Sequence, residues 1–252
     1  MEMRSNSDGK LVHWQVFDRG SDGRKIMRDR CLPKRKLIYH MLPWPYAKAI
    51  FDDGRLRLSQ VRSWTDPYEK WWCDILFNRS STLSGVQAYG LCWTTGTHDE
   101  PRWRMAAFCR NEPIVRIRCR ADVILEAGRE MIGKSSGSLF LGSVCYQREK
   151  KLRELAKHVT AGSRKEVTRT AAAMLLHKRI AFKFEQEVRL LWLDREPACD
   201  AVFVEIEPAA TINQVMTSPY ATQTEHRTIQ AYLDKRGIES KKSALLSTPP
   251  QP

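Results

Sequence analysis

Acidic side chains are scarce in this 252-residue chain: 29 Asp plus Glu stand against 42 Lys plus Arg, a formal net charge of +13. That deficit excludes an acidic-surface protein and creates a field that attracts phosphate-bearing or otherwise acidic partners. Metal-ligand spacing is missing too. None of the seven cysteines (Cys31, Cys73, Cys92, Cys109, Cys119, Cys145 and Cys199) forms a CxxC pair, and no histidine stands at ligand spacing from Cys, Asp or Glu. No metal is expected, and an odd set of thiols in apolar surroundings suits a reducing compartment. HExxH, GxSxG and GxGxxG are absent. No apolar run reaches bilayer length and the first twenty residues are polar, so no membrane partner and no signal peptide are expected, and the expected location is cytoplasmic.

What is present suits a globular fold, since 42% of the residues are hydrophobic. Residues 1–36 are polar and basic, with glycines flanking one alternating run, Leu11 to Phe17, and read as a peripheral hairpin or partly mobile arm. From Leu37 the pattern tightens into one domain, residues 37–246, ahead of a loose tail, 247–252. Strands are expected at Leu37–His40, Arg55–Ser59, Ala88–Thr94, Ile114–Cys119, Ser143–Tyr146, Glu187–Leu193 and Ala201–Glu207. Pro45 opens a helix whose Tyr46, Ala49 and Ile50 fall on one side and which stops at Gly54. Capping boxes, Ser163-x-x-Glu166 and Thr222-x-x-Glu225, open two later helices. Helices interrupt the strands irregularly and nothing repeats, which favours an α+β fold over a doubly wound sheet.

Lys183 to Trp192 reads as a strand with Glu185, Glu187 and Arg189 on one face and Val188, Leu190 and Trp192 behind them. Two carboxylates and a guanidinium in that alternation form either a catalytic edge or an ion-paired strand, Glu187 with Arg189 or a neighbouring Lys. Gly128 to Ser135 matches the phosphate-loop pattern GxxxxGK[ST], but its exit carries Gly137 and Gly142 where a helix should begin, so a phosphate-loop protein is the lesser alternative. Asp66-Pro67-Tyr68-Glu69 reads first as a helix start. Arg116, Arg118 and Arg120 share one strand face, either as a solvated basic surface or as a nucleic-acid contact.

Taken in order, Tyr39-His40, Gly54, Leu56-Arg57-Leu58-Ser59, Asp66-Pro67-Tyr68-Glu69, Leu91-Cys92-Trp93-Thr94, Trp103 and Phe184-Glu185-Gln186-Glu187-Val188-Arg189-Leu190 resemble a bacterial family catalogued as domain of unknown function 2971. Thr65 and Ala106 depart from its pattern, which has Asn and Tyr there. The layout more distantly resembles ADP-ribosyltransferases, with an early His, a middle Ser strand and a late Glu. That second resemblance implies a split mixed or antiparallel β-sheet core with flanking helices and NAD as donor. It implies a catalytic set of Glu187, the carboxylate stabilising a positive ribose, Glu185, the base toward the acceptor, and His40, which holds the nicotinamide ribose, with NAD contacts from Tyr39, His40, Ser59, Trp93 and Arg189, and His40, Ser59 and Glu187 converging on one cleft.

The leading expectation is an NAD-dependent ADP-ribosyltransferase-like enzyme, a toxin or phage-defence effector that modifies nucleic acid or protein. An acidic antitoxin or chaperone is its expected binding partner. The alternative is a non-enzymatic nucleic-acid-binding module or a partner-binding component of a defence system, in which Glu185 and Glu187 are structural.

Overall fold

The computed structural model describes residues 14–19, 25–29, 32–78, 83–96, 103, 112–128, 137–157, 164–195 and 199–246. Among the described residues thirteen strands run in chain order: β1 Trp14–Arg19, β2 Lys25–Asp29, β3 Leu37–Pro43, β4 Arg55–Gln60, β5 Gln87–Thr94, β6 Ile114–Arg120, β7 Ser138–Ser143, β8 Cys145–Gln147, β9 His177–Arg179, β10 Glu187–Asp194, β11 Ala201–Glu205, β12 Gln214–Thr217 and β13 Ser240–Lys242. Eleven join one sheet in the order β1-β2-β7-β10-β5-β3-β6-β12-β13, with β4 branching from β5 and β11 continuing from β4, while β8 and β9 pair apart. Among the described residues the sheet is antiparallel except at β2–β7 and β12–β13. The chain is therefore α+β with a central, mostly antiparallel sheet.

Its centre is the β10–β5 pair, and both faces are covered. Val188, Leu190 and Trp192 of β10 pack into a core closed by α1 (Trp44–Asp53) and the helices Ala121–Ala127 and Gln223–Asp234. Leu191 and Leu193 point the other way, toward α2 (Pro67–Cys73) and the helix Arg164–Met174. Burial on both faces makes β10 the best-anchored strand, each large apolar side chain contributing about 1.5–3 kcal/mol.

β5 is also where the sheet splits. It meets β3 only at Tyr39↔Thr94 and β4 only at Ser59↔Gly90 and Gln60↔Tyr89. Between these contacts β3 and β4 diverge, and α1 links them, closing at Gly54 in the left-handed region (φ 64°) with its N–H on the Ile50 carbonyl. The apolar side expected for α1 is not its core side: Ala47 and Phe51 are buried, while Tyr46, Ala49 and Ile50 line the gap between β3 and β4.

Other expectations change. The strand expected at Ser143–Tyr146 straddles a break, because β7 ends at Ser143, β8 begins at Cys145, and Val144 donates its N–H to the Glu187 carbonyl. Most of the phosphate-loop match lies outside the described residues, but a helix, Ala121–Ala127, precedes it and β7 follows it. That order reverses the strand–loop–helix that phosphate binding requires, and the phosphate-loop reading falls. The Thr222 capping box forms with both its bonds, whereas Ser163 and the tail lie outside the described residues. β1 and β2 pair antiparallel, and β2 joins them to the edge of the main sheet.

Gly90 admits the Trp64 indole onto the sheet: a Cβ there would stand 2.6 Å from the ring. Gly90→Ala is expected to lower stability by about 1–3 kcal/mol through overpacking, read as a lower denaturant midpoint at unchanged slope.

Candidate active site

Two segments remote in sequence meet on the α2 face of the β10–β5 pair. Pro67 starts α2, Asp66 caps it by accepting the Tyr68 N–H at 2.9 Å, and one turn of helix brings Glu69 over β10. There Arg189, 1% exposed, donates from Nε and Nη2 to Glu187 Oε2 at 3.0 and 2.7 Å, from Nη2 to Glu69, and from Nη1 to the Leu175 carbonyl at 2.7 Å. Trp64 covers its guanidinium at 4.7 Å and donates its own N–H to Ser59 Oγ at 3.3 Å. Lys178 on β9 approaches from the other side, 2.6 Å from Glu185 and 3.4 Å from Glu187. Arg179, the next residue, pairs with Asp66 at 3.2 Å and stacks on Tyr68 and Phe182.

Glu185 arrives differently from expectation. β10 begins at Glu187, so Glu185 is not a strand residue; it closes a 3-10 segment, Ile180–Glu185, and Gln186 turns the chain with φ of 44°. Thr94 Oγ1 holds that turn by donating to the Glu185 carbonyl at 2.7 Å, and the Thr95 N–H donates to the Gln186 carbonyl at 3.0 Å. The Glu187 N–H is taken by the Tyr146 hydroxyl at 2.8 Å. Both carboxylates are thus fixed by backbone contacts, and Lys178 grips both.

Their ionisation is pushed apart. Burial raises the Glu185 pKa, and the negative charge of Glu187 raises it further against the pull of Lys178. Burial would raise Glu187 as well, but Arg189 and Lys178 outweigh it and its pKa ends lowered. Lys178 is held protonated, its pKa raised against burial by Glu187, Glu185 and Glu69. Glu69 is raised, chiefly by burial. An ionised carboxylate beside one that takes a proton more readily is an arrangement found where acid–base chemistry is done.

Strand register sorts the remaining sequence candidates. Tyr39 and Glu187 both pair with Thr94 and therefore share a face. His40 stands on the opposite face, its ring 5.5 Å from Trp93 and its Nδ1 donating to the Cys92 carbonyl at 2.8 Å. Expected to converge with Glu187, His40 is separated from it by the sheet, because adjacent strand residues point opposite ways. Ser59 reaches the pair only through Trp64 and Arg189. Trp93 is buried in the α1-side core. Arg116, Arg118 and Arg120 do share a face, and each is engaged within the protein: Arg116 over Tyr39 and Trp103, Arg118 with Asn213, Arg120 with Asp122.

The split between β3 and β4 forms a concavity of about 780 Å³ whose lining includes His40, Ser59, Arg57 and Tyr46. Lys178, Arg179 and Tyr146 carried no readable signal, since their strands are three residues long and packed apart from the main sheet. Glu69 was visible within Asp66-Pro67-Tyr68-Glu69, yet its reach to Arg189, 120 residues on, was not.

Replacing Arg189 by Met strands Glu69 and Glu187 without their cation and is expected to cost about 3–5 kcal/mol at neutral pH. In the native chain Glu187, with its lowered pKa, contributes stability above its unfolded value that is lost as pH falls toward its folded value. Without Arg189 burial prevails, the Glu187 pKa rises, and protonation relieves the variant, so the stability gap should narrow on acidification from pH 7 toward pH 4. Urea melts across that range measure it.

No family model matches the chain. No curated protein matches it. Among solved structures, DarT of Thermus sp. 2.9 in complex with NAD+ overlays with a TM-score of 0.40 at 11% identity, over 84% of this chain and 97% of that one, too loosely for residues to be matched.

Proposed function

We propose that the protein is an NAD-dependent ADP-ribosyltransferase whose reacting groups are Glu185 and Glu187. The observation that supports this reading is the pair itself: neighbouring carboxyl groups, tied to one lysine, with pKa values displaced in opposite directions. NAD as donor rests on the ordered motifs that resemble ADP-ribosyltransferases. NAD supplies an N-glycosidic bond whose cleavage releases nicotinamide and leaves positive charge on the ribose.

Glu187, kept ionised by Arg189 and Lys178, places a fixed negative charge where that positive charge builds, and being already oriented it needs no reorganisation. Glu185 is more exposed and more basic, and is suited to take the proton of the attacking hydroxyl, nitrogen or water. Phe184 and Ile180, exposed on the same 3-10 segment, offer apolar surface for a flat ring. His40 has no place in this chemistry, because the sheet stands between it and the pair. The surplus of positive charge favours a phosphate-bearing acceptor, RNA or DNA before protein, and suits restraint by an acidic partner protein.

The competing module, in which Glu185 and Glu187 only fasten Arg189, is favoured by how completely Arg189 is bonded. Labelled NAD with RNA, DNA or lysate separates the two readings. Glu187→Gln is expected to lower label transfer by about 10²-fold or more, and Glu185→Gln to slow transfer more than NAD hydrolysis. No NAD consumption with any acceptor, or wild-type rates in Glu187→Gln, contradicts the enzyme.

A pH profile tests the role of Glu185. Transfer should rise with pH as Glu185 ionises, and in Lys178→Met that rise should move to higher pH, because the cation opposing protonation is gone. An unmoved profile means that Glu185 is not the base.

A further inference from the structure

The arginines of β6 are engaged within the protein, and a different set of cations faces water beside the carboxylate pair. β8 runs into the helix Glu149–Lys157, which packs on β9, buries Leu152 and Leu155, and turns Lys150, Arg153 and Lys157 outward. At about 100° per residue these three fall within about 60° of one another and climb the helix in steps of about 4.5 and 6 Å. Arg148, just ahead of the first turn, is exposed as well. Arg148, Lys150, Arg153 and Lys157 have no side-chain partner among the described residues. The helix's two acids leave the stripe positive: Glu154 is paired with Lys151 at 3.4 Å, and Glu149 lies about 100° round from Lys150.

We propose that this helix face is a docking track for a single nucleic-acid strand, which it leads to the carboxylate pair. The track ends in the right place. Tyr146, two residues before Arg148, takes the Glu187 N–H, and β8 packs against the 3-10 segment Ile180–Glu185. That segment exposes Lys183, also without a side-chain partner among the described residues, so cations continue from the helix to the edge of Glu185. A row of unpaired cations a few ångströms apart suits a polyanion whose charges repeat, since every phosphate neutralised releases its condensed counterions. Acidic protein surfaces hold carboxylates at no fixed interval, and the spacing therefore favours a phosphate backbone. Phe184, 45% exposed beside Lys183, selects a single strand over a duplex, because only an unpaired base can lie flat on its ring. That the strand is held there as acceptor rests on the enzyme proposed above; its binding does not.

Fluorescence anisotropy of labelled oligonucleotides with the full chain, across a salt series, tests the track. Single strands should bind at least tenfold tighter than a duplex of the same sequence. RNA binding more tightly than DNA, or the reverse, identifies the strand and supports the track either way. The triple variant Lys150→Ala, Arg153→Ala, Lys157→Ala removes exposed charge and installs the best helix former, so its melting temperature should hold while affinity falls tenfold or more. Its plot of log affinity against log salt should lose about 2 from its slope, as three phosphate contacts to a single strand predict. Phe184→Ala should weaken single strands, and Arg118→Ala should leave them within twofold of the wild type. Wild-type affinity in the triple variant overturns the track. So does a duplex binding as tightly as a single strand, or an acidic polypeptide competing as well as an oligonucleotide of equal charge. Binding that depends on the stripe in a chain that consumes no NAD upholds the track while the proposed enzyme fails; NAD consumption without such binding does the reverse.

Discussion

Arg189 is a guanidinium cut off from water in the middle of the best-packed strand pair, and a charge so placed costs several kcal/mol unless its partners are in position. Those partners come from three directions: Glu187 from its own strand, Glu69 from α2, and the Leu175 carbonyl from the end of the helix Arg164–Met174. Satisfying Arg189 therefore fixes where α2 and that helix sit on the sheet. The same requirement keeps Glu187 ionised, and through Trp64 it extends to Ser59 and Gly90 on the strands where the sheet divides. Packing and the proposed chemistry thus share one constraint.

Lys178 supplies the asymmetry. Arg189 donates to Glu187, whereas Lys178 touches both carboxylates, so Glu187 is held by two cations. That difference in counter-charge outweighs burial, which is deeper at Glu187 and by itself would raise its pKa. The short β8–β9 sheet exists at this point to carry Lys178 and Arg179 to the cluster, one to the glutamates and the other to Asp66.

Much of this was legible before the coordinates, and the gaps have physical causes. Alternation located β4, β5, β6 and β10 within a residue, because each has a face to bury, and found the start of β3 but ended it three residues short; the Thr222 capping box located the helix Gln223–Asp234. The charges of Glu187 and Arg189 were placed together because the strand period fixes their common face. Glu185 was misplaced because a left-handed turn at Gln186, a residue type that seldom adopts one, leaves no mark in the pattern. His40 was set beside Glu187 because order along the chain does not reveal which face of a sheet a side chain takes. One residue of register, Tyr39 instead of His40 against Thr94, decides that question, and it sends His40 into the cleft with Arg55 and Arg57.

Glu185 and Glu187 differ in their hold on a proton, and the proposed enzyme brings NAD to that pair. Carbon-13 NMR of the glutamate side-chain carboxyls across pH, with and without NAD, tests it most directly. Two separated titration steps are expected from the pair, one below and one above the usual glutamate range, both displaced when NAD is added. Two carboxyls titrating together in the ordinary range and indifferent to NAD would contradict it.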